Sequence, residues 1–252
     1  MKKILKIAGY VVGLLLVLLL LLLIVLQSPK AQTMAARKII GMLDGVIDGD
    51  ISIGKVHIRP FDAVVLKDVA LVDRAPYAAE GEAPLDTFAR ARYITVRIRP
   101  ATLLRQGVID LTEAYVEDGY FVLSNEPDGQ GNLKRIFRQG QKPPKEPKEP
   151  DDKEILRVGR VEINGFRFRL RNYNSTREVP ADAIDWADLD VSDIHLKGRK
   201  LRMHGKVVEG IADELSFREK SGMTIHKMSG EARVGDGLTQ IKNLVIRDLF
   251  SD

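Results

Sequence analysis

Phe166-Arg167-Phe168-Arg169-Leu170-Arg171 alternates apolar and cationic side chains without a break. Successive side chains of a strand point to opposite faces, so a period of two predicts a strand with one apolar and one wet face. Ile94, Val96 and Ile98 alternate with Thr95, Arg97 and Arg99 until Pro100 stops the run, and Leu201 and Met203 alternate with Arg202 and His204. One-sided strands of this kind belong to an antiparallel sheet that faces water on one side. Roughly 8–11 short strands fit between residues 50 and 250. The apolar positions Ile94, Val96, Ile98, Phe166, Phe168 and Leu170 are the candidate lining of that sheet's apolar face.

Two internal echoes give the sheet a repeating character. Ile51-Ser52-Ile53-Gly54-Lys55-Val56-His57-Ile58 matches Leu156-Arg157-Val158-Gly159-Arg160-Val161-Glu162-Ile163. A second pattern occurs at Leu66-Lys67-Asp68-Val69-Ala70-Leu71, Val191-Ser192-Asp193-Ile194-His195-Leu196 and Ile241-Lys242-Asn243-Leu244-Val245-Ile246. In each, two residues separate the first apolar position from the next before alternation resumes. Such a phase slip is the mark of a β-bulge or kink, which adds bend and twist. A sheet bent at regular intervals is expected to curl into a trough. One helix interrupts the strands, around residues 131–138, entered through the Gly-rich turn Asn125-Glu126-Pro127-Asp128-Gly129-Gln130-Gly131-Asn132.

Apolar character is concentrated at the N-terminus. Residues 7–26 carry no charge, and residues 14–26 are only Leu, Val and Ile. Twenty residues at about 1.5 Å each span about 30 Å, the thickness of a bilayer's hydrocarbon core. The run exceeds a signal peptide's apolar region and is followed by Gln27-Ser28-Pro29-Lys30 rather than a small-x-small cleavage site, so an uncleaved transmembrane anchor is expected over residues 1–28. Lys2, Lys3 and Lys6 precede it, which puts the N-terminus in the cytoplasm and the rest across the membrane, in the periplasm of a Gram-negative cell. Ser28-Pro29 reads as a helix start, and residues 29–43 as a short membrane-proximal helix ending at Asp44-Gly45.

The chain has 252 residues, no cysteine and a net charge of +4. Without the three N-terminal lysines 36 basic residues face 35 acidic ones, so the exported part is nearly neutral and no nucleic-acid-binding face is expected. The missing cysteine excludes disulfides, thiolate zinc sites and cysteine nucleophiles. Residues 142–153, KPPKEPKEPDDK, cannot bury apolar area and read as an extended, solvated linker. They divide the exported part into a β-segment over residues 29–140, a linker over 141–154 and a second β-segment over 155–252.

Signs of chemistry are sparse. His57, His195, His204 and His226 form no metal-binding spacing, and no nucleophile elbow, HExxH or P-loop occurs. The 125–132 turn lacks the alternating oxygens of a calcium loop. Asp185, Asp188, Asp190 and Asp193 surround or follow Trp186, but Asp188 and Asp190 alternate with Leu189 and Val191 and read as the wet face of a strand, with Trp186 at an edge of the apolar face. No catalytic residue, cofactor or metal is expected.

In their order, the N-terminal anchor, "DGDISIGKVHI", "VVLKDVALVD", Asp128-Gly129-Gln130-Gly131-Asn132-Leu133 with Ile136-Phe137, and Leu215-Ser216-Phe217-Arg218-Glu219-Lys220-Ser221-Gly222 resemble TamB/AsmA-type proteins. The last stretch resembles the LS-x-x-EKSG segment of TamB-like proteins of Bacteroidetes. The resemblance implies a mainly β fold: a transmembrane helix, a short helix, then a curved, half-open antiparallel β-groove lined with apolar side chains. It implies anchoring in the inner membrane, phospholipid as cargo between inner and outer membranes, and a TamA-like outer-membrane barrel partner. Full members are several times longer, so the sheet is expected to continue beyond Asp252 in a longer parent protein.

Overall fold

In the computed structural model, residues 48–59, 63–99, 102, 105–129, 131–136, 153–180, 183–205, 207–235 and 237–247 are described. Nine strands, β1 (Gly49–Arg59), β2 (Ala63–Asp73), β3 (Thr87–Ile98), β4 (Ile109–Asn125), β5 (Glu154–Asn172), β6 (Asp188–His204), β7 (Val207–Glu219), β8 (Thr224–Gly235) and β9 (Leu238–Arg247), form one sheet in strictly sequential order. β1 and β9 lie at opposite edges, so the sheet is open. The strands run from 10 to 19 residues, longer than the short strands expected from the turn signals, because the kinks described below bend them without ending them. Among the described residues no helix is long and apolar enough to cross a membrane. The apolar run at 7–26, the helix expected over 29–43 and most of the 141–154 linker lie outside the described residues.

The sheet is antiparallel except between β4 and β5, which pair in parallel. This corrects the all-antiparallel expectation. The cause is the connection between them: a parallel neighbour needs a dozen or more residues to carry the chain back to its starting end, and residues 126–153 supply them.

The helix α1 (Asn132–Ile136) lies in that connection, within the range expected. The Asn132 side chain accepts from the Ser124 N–H (3.0 Å) and donates to the Val122 carbonyl (3.1 Å), which ties the helix to β4. Ile136 is wholly buried beside Phe88, with Ile51, Leu71, Ala89, Phe121 and Leu123 packed around them. This corner, over β1–β4, is one hydrophobic core cluster; Val108, Val158 and Val207 are buried outside it. Arg135 reaches back to Asp73 (2.5 Å) and Glu126 (2.5 Å), both almost fully buried. Hydrogen bonds to Glu126 and then to Asp73 hold the guanidinium protonated against the cost of burial, its pKa raised further above the usual arginine value.

A crease crosses the strands. Asp68, Asp118, Gly165, Asp193 and Asn243 all adopt positive φ, between 49° and 66°. The phase slips of the second echo fall on three of them: Asp68, Asp193 and Asn243. Asp and Asn tolerate the left-handed region because their short polar side chains bond locally. The first echo does not mark equivalent places. Gly54 lies against Asp68 at the crease, whereas Gly159 presses on the Thr112 carbonyl, six residues before Gly165, the crease residue of its own strand.

Candidate functional site

Cross-strand partners share a face, so the register assembles the faces from single residues. Val56, Leu66, Ile94, Val116, Ile163, Leu196, Leu215, Met228 and Ile246 are partners in turn, one from each strand. No polar residue interrupts this row. Beside it runs a second: Val64, Val96, Ala114, Val161, Gly198, Ala212 and Gly230. Eight strand spacings of about 4.8 Å make the nine-residue row about 38 Å long.

Beyond the crease the apolar face continues. Ile51, Leu71, Ala89, Phe121, Phe168 and Val191 are successive partners, and so are Leu123, Leu170 and Leu189. In β1, Ile51, Ile53 and Val56 are partly or fully buried, while Ser52, Gly54, Lys55 and His57 are exposed. The three-residue step from Ile53 to Val56 therefore keeps both on one side, and the crease bends the apolar face without turning it over.

Four of the six sequence-derived lining residues, Ile94, Val96, Phe168 and Leu170, lie on these rows, and Phe166 pairs with Ile194 between them. Ile94 and Val96 belong to the two central rows, and Ile98 pairs with Leu111 at the far end of β3. Phe168 stacks on Phe121 with centroids 6.1 Å apart. Phe166 fills the space left by Gly119: a Cβ there would fall inside its ring. Gly119 had no signal in the alternation, because its role depends on a residue forty-seven positions away. Gly119→Ala is accordingly expected to cost about 1–3 kcal/mol through overpacking. Denaturant titration should show much of that loss recovered when Phe166→Leu is added, and an unchanged deficit in the double variant would argue against the contact.

The face is incompletely covered. α1 closes it over part of β1–β4, but in the central row only Val56 is buried; Leu66 to Met228 are half-buried and Ile246 is 48% exposed. Each element packs chiefly against its sequence neighbours, with no second layer over β5–β9 among the described residues.

The opposite face is held by ion pairs. Arg92 pairs with Glu117 and Asp118, Arg167 with Asp190, Arg171 with Asp188, Lys197 with Glu214 and Arg199 with Asp213. Asp188 and Asp190 lie on this face opposite Arg171 and Arg169. His57, His195 and His226 are exposed, and His204 lies 3.9 Å from Glu209. Among the described residues no group of three or more His, Asp or Glu stands close enough together to hold a metal ion. Trp186, expected at an edge of the apolar face, instead sits 72% exposed in the β5–β6 connection, because the chain turns there before β6 begins.

Asp190 and Glu219 give the sheet a pH dependence. Burial pushes Asp190 up, but the Arg167 hydrogen bond and the charges of Arg167, Arg169 and Lys220 outweigh it and hold the carboxyl below its usual range. Burial likewise pushes Glu219 up, and hydrogen bonds from Ser221, Asp190 and Lys220 bring it below its usual range. A pKa lowered by folding contributes stability that is complete above the unfolded value, about 4, and lost as pH falls through the folded value. Thermal unfolding midpoints are therefore expected to hold from neutrality to about pH 4 and to drop below it. Asp190→Asn should flatten that drop; an equally steep fall in the variant would exclude Asp190 as a cause.

No family model matches the chain, and no curated protein matches it. A functional reading rests on the chain's own motifs and on the geometry of its sheet. Chemically, that geometry offers a long apolar surface, and the described residues hold no group of His, Asp or Glu placed to bind a metal ion. Such a surface can hold alkyl chains and leave polar headgroups in water.

Proposed function

We propose that this chain is an inner-membrane-anchored periplasmic protein of the TamB/AsmA type that shields phospholipid acyl chains in an open β-groove as they pass between membranes, and so supports outer-membrane assembly. The observation that carries the reading is the uninterrupted, half-covered apolar row across all nine strands. Its length of about 38 Å exceeds the ~15 Å depth of one leaflet's hydrocarbon, so an acyl chain can lie along it. Each buried methylene contributes about 0.8 kcal/mol. Because one aliphatic residue replaces another along the row, a chain can slide without meeting a polar barrier. The reading is non-enzymatic, with no cofactor or metal. The apolar run at 7–26 and the order of motifs resembling TamB/AsmA-type proteins support it.

Photo-crosslinking in cells tests it. A photoreactive phenylalanine analogue at Val116 or Ile163 is expected to yield phospholipid adducts detectable by mass spectrometry, and one at Glu162 on the other face is not. Absence of adducts from both apolar positions would sink the proposal.

A second reading is a scaffold for outer-membrane protein assembly, acting by strand addition to a TamA-like barrel partner. β9 favours it: it is an edge strand exposed along its whole length, with Ile241, Leu244, Val245 and Ile246 each about half exposed. An unpaired edge is a template for another strand. Capture of a TamA-like barrel that is lost on deleting residues 241–246, while lipid adducts persist, would favour the scaffold role. Capture that survives the deletion would remove the edge from consideration.

A further inference from the structure

We propose that the rim of the sheet carrying Trp186 rests in the headgroup region of a zwitterionic phospholipid bilayer. This deepens the lipid-shielding reading and rests on it. The rim is formed by the start of β1, the ends of β2, β4 and β5, the start of β6 and their connections. Trp186 there is 72% exposed and Leu133 of α1 39% exposed. Tyr77 and Tyr173, in the connections after β2 and β5 at the same rim, meet edge-to-face with centroids 4.7 Å apart. Trp and Tyr are amphipathic rings that concentrate at membrane–water interfaces, and a tryptophan this exposed is unusual on a surface with nothing to meet. The connections at the other rim, residues 60–62, 99–108, 205–206 and 236–237, contain neither Trp nor Tyr.

The chain's own path names the occupant. Asp48, the first described residue, enters at the Trp186 rim, where its N–H donates to the Ile136 carbonyl at 2.6 Å. Only residues 27–47 separate it from the uncharged run at 7–26. The opposite rim lies a further strand away, about 36 Å for the eleven residues of β1. A tether from the bilayer therefore brings the aromatic rim to it first.

The same rim supplies an entry for lipid. α1 closes the apolar face over Ile51, Leu71, Ala89, Phe121 and Leu123. Leu170 and Leu189, paired on β5 and β6 directly below the Trp186 connection, lie outside that closure and are half-buried. Acyl chains drawn from the bilayer would meet the groove there. Glu82 is paired with Arg171, but Glu80, Asp86 and Glu178 stand exposed on the rim and set the lipid preference: aromatic partitioning favours contact, and these acids repel anionic headgroups.

Trp186 is the only tryptophan of the chain, so its fluorescence reports this rim alone. The full chain is reconstituted in phosphatidylcholine vesicles, with and without bromine on the acyl chains, and vesicle flotation is read in parallel. The expected result is flotation together with roughly twofold or greater quenching of Trp186, weakening as phosphatidylglycerol is added. A Trp186→Phe/Lys197→Trp variant, whose tryptophan stands on the polar face, should float and stay unquenched. Flotation with an unquenched Trp186, or quenching equal to that of the Lys197→Trp variant, overturns the rim proposal and leaves the anchored groove standing. Failure to float overturns both.

Discussion

Arg135→Met is expected to destabilise the fold by about 3–5 kcal/mol, because it leaves two carboxylates buried without a cation. Asp73 and Glu126 have side chains 2% and 6% exposed, and Arg135 is the ion-pair partner of both. The flexible Met side chain would occupy part of the space of the arginine stem, so charge rather than volume dominates the loss. The damage should concentrate at α1, the element that closes the apolar face over β1–β4. Hydrogen exchange would then show the amides of β1 and α1 deprotected before those of β6 and β7. Chemical denaturation of Arg135→Met beside an Arg135→Met/Asp73→Asn/Glu126→Gln variant separates charge from packing. Recovery of most of the loss in the triple variant is the expected outcome, and no recovery would mean that the arginine acts through its stem.

A charge in the central apolar row is expected to remove lipid while leaving the sheet folded. Ile163 stands mid-row between Val116 and Leu196 and is half-buried, so a lysine there can lift its ammonium toward water along its own stem. Bound alkyl chains have no such escape, since a hydrated ammonium in their path must be desolvated or circumvented. Ile163→Lys should reduce phospholipid co-purifying with the full chain at least tenfold, equivalent to about 1.4 kcal/mol of lost interaction. Far-ultraviolet circular dichroism should be unchanged. Glu162→Lys, the neighbouring position on the opposite face, serves as the control and should retain lipid. Equal lipid in all three proteins would place the lipid elsewhere or exclude it from the apolar face.

Much of this architecture was legible before any coordinates. The alternation at residues 94–99, 166–171 and 201–204 identified strands with one apolar face, and the sheet has that face. The Gly-rich turn announced α1 to within a residue or two. The slips at Asp68, Asp193 and Asn243 announced the crease, because an aspartate or asparagine between two alternating runs is a local conformational signal. The echo between residues 51–58 and 156–163 falls at different distances from the crease, because eight matching residues set a local pattern while pairing sets the height on the sheet. Trp186 is different: beside a strand pattern it reads as an edge of the apolar face, and only the chain's turn before β6 shows it exposed in the connection.

What the amino-acid order determined by itself was local: which residues alternate, where the chain kinks, where a helix can start, and which run is apolar enough to span a bilayer. Those properties arise from neighbours within a few positions. Tertiary structure alone decided that β5 returns parallel to β4, that Phe166 lies over Gly119, that Arg135 joins two carboxylates at the ends of β2 and β4, and that nine scattered aliphatic residues line up into one row. Each of these is a register, and register is set by the summed pairing of whole strands across long connections, a quantity that no single stretch of the chain contains.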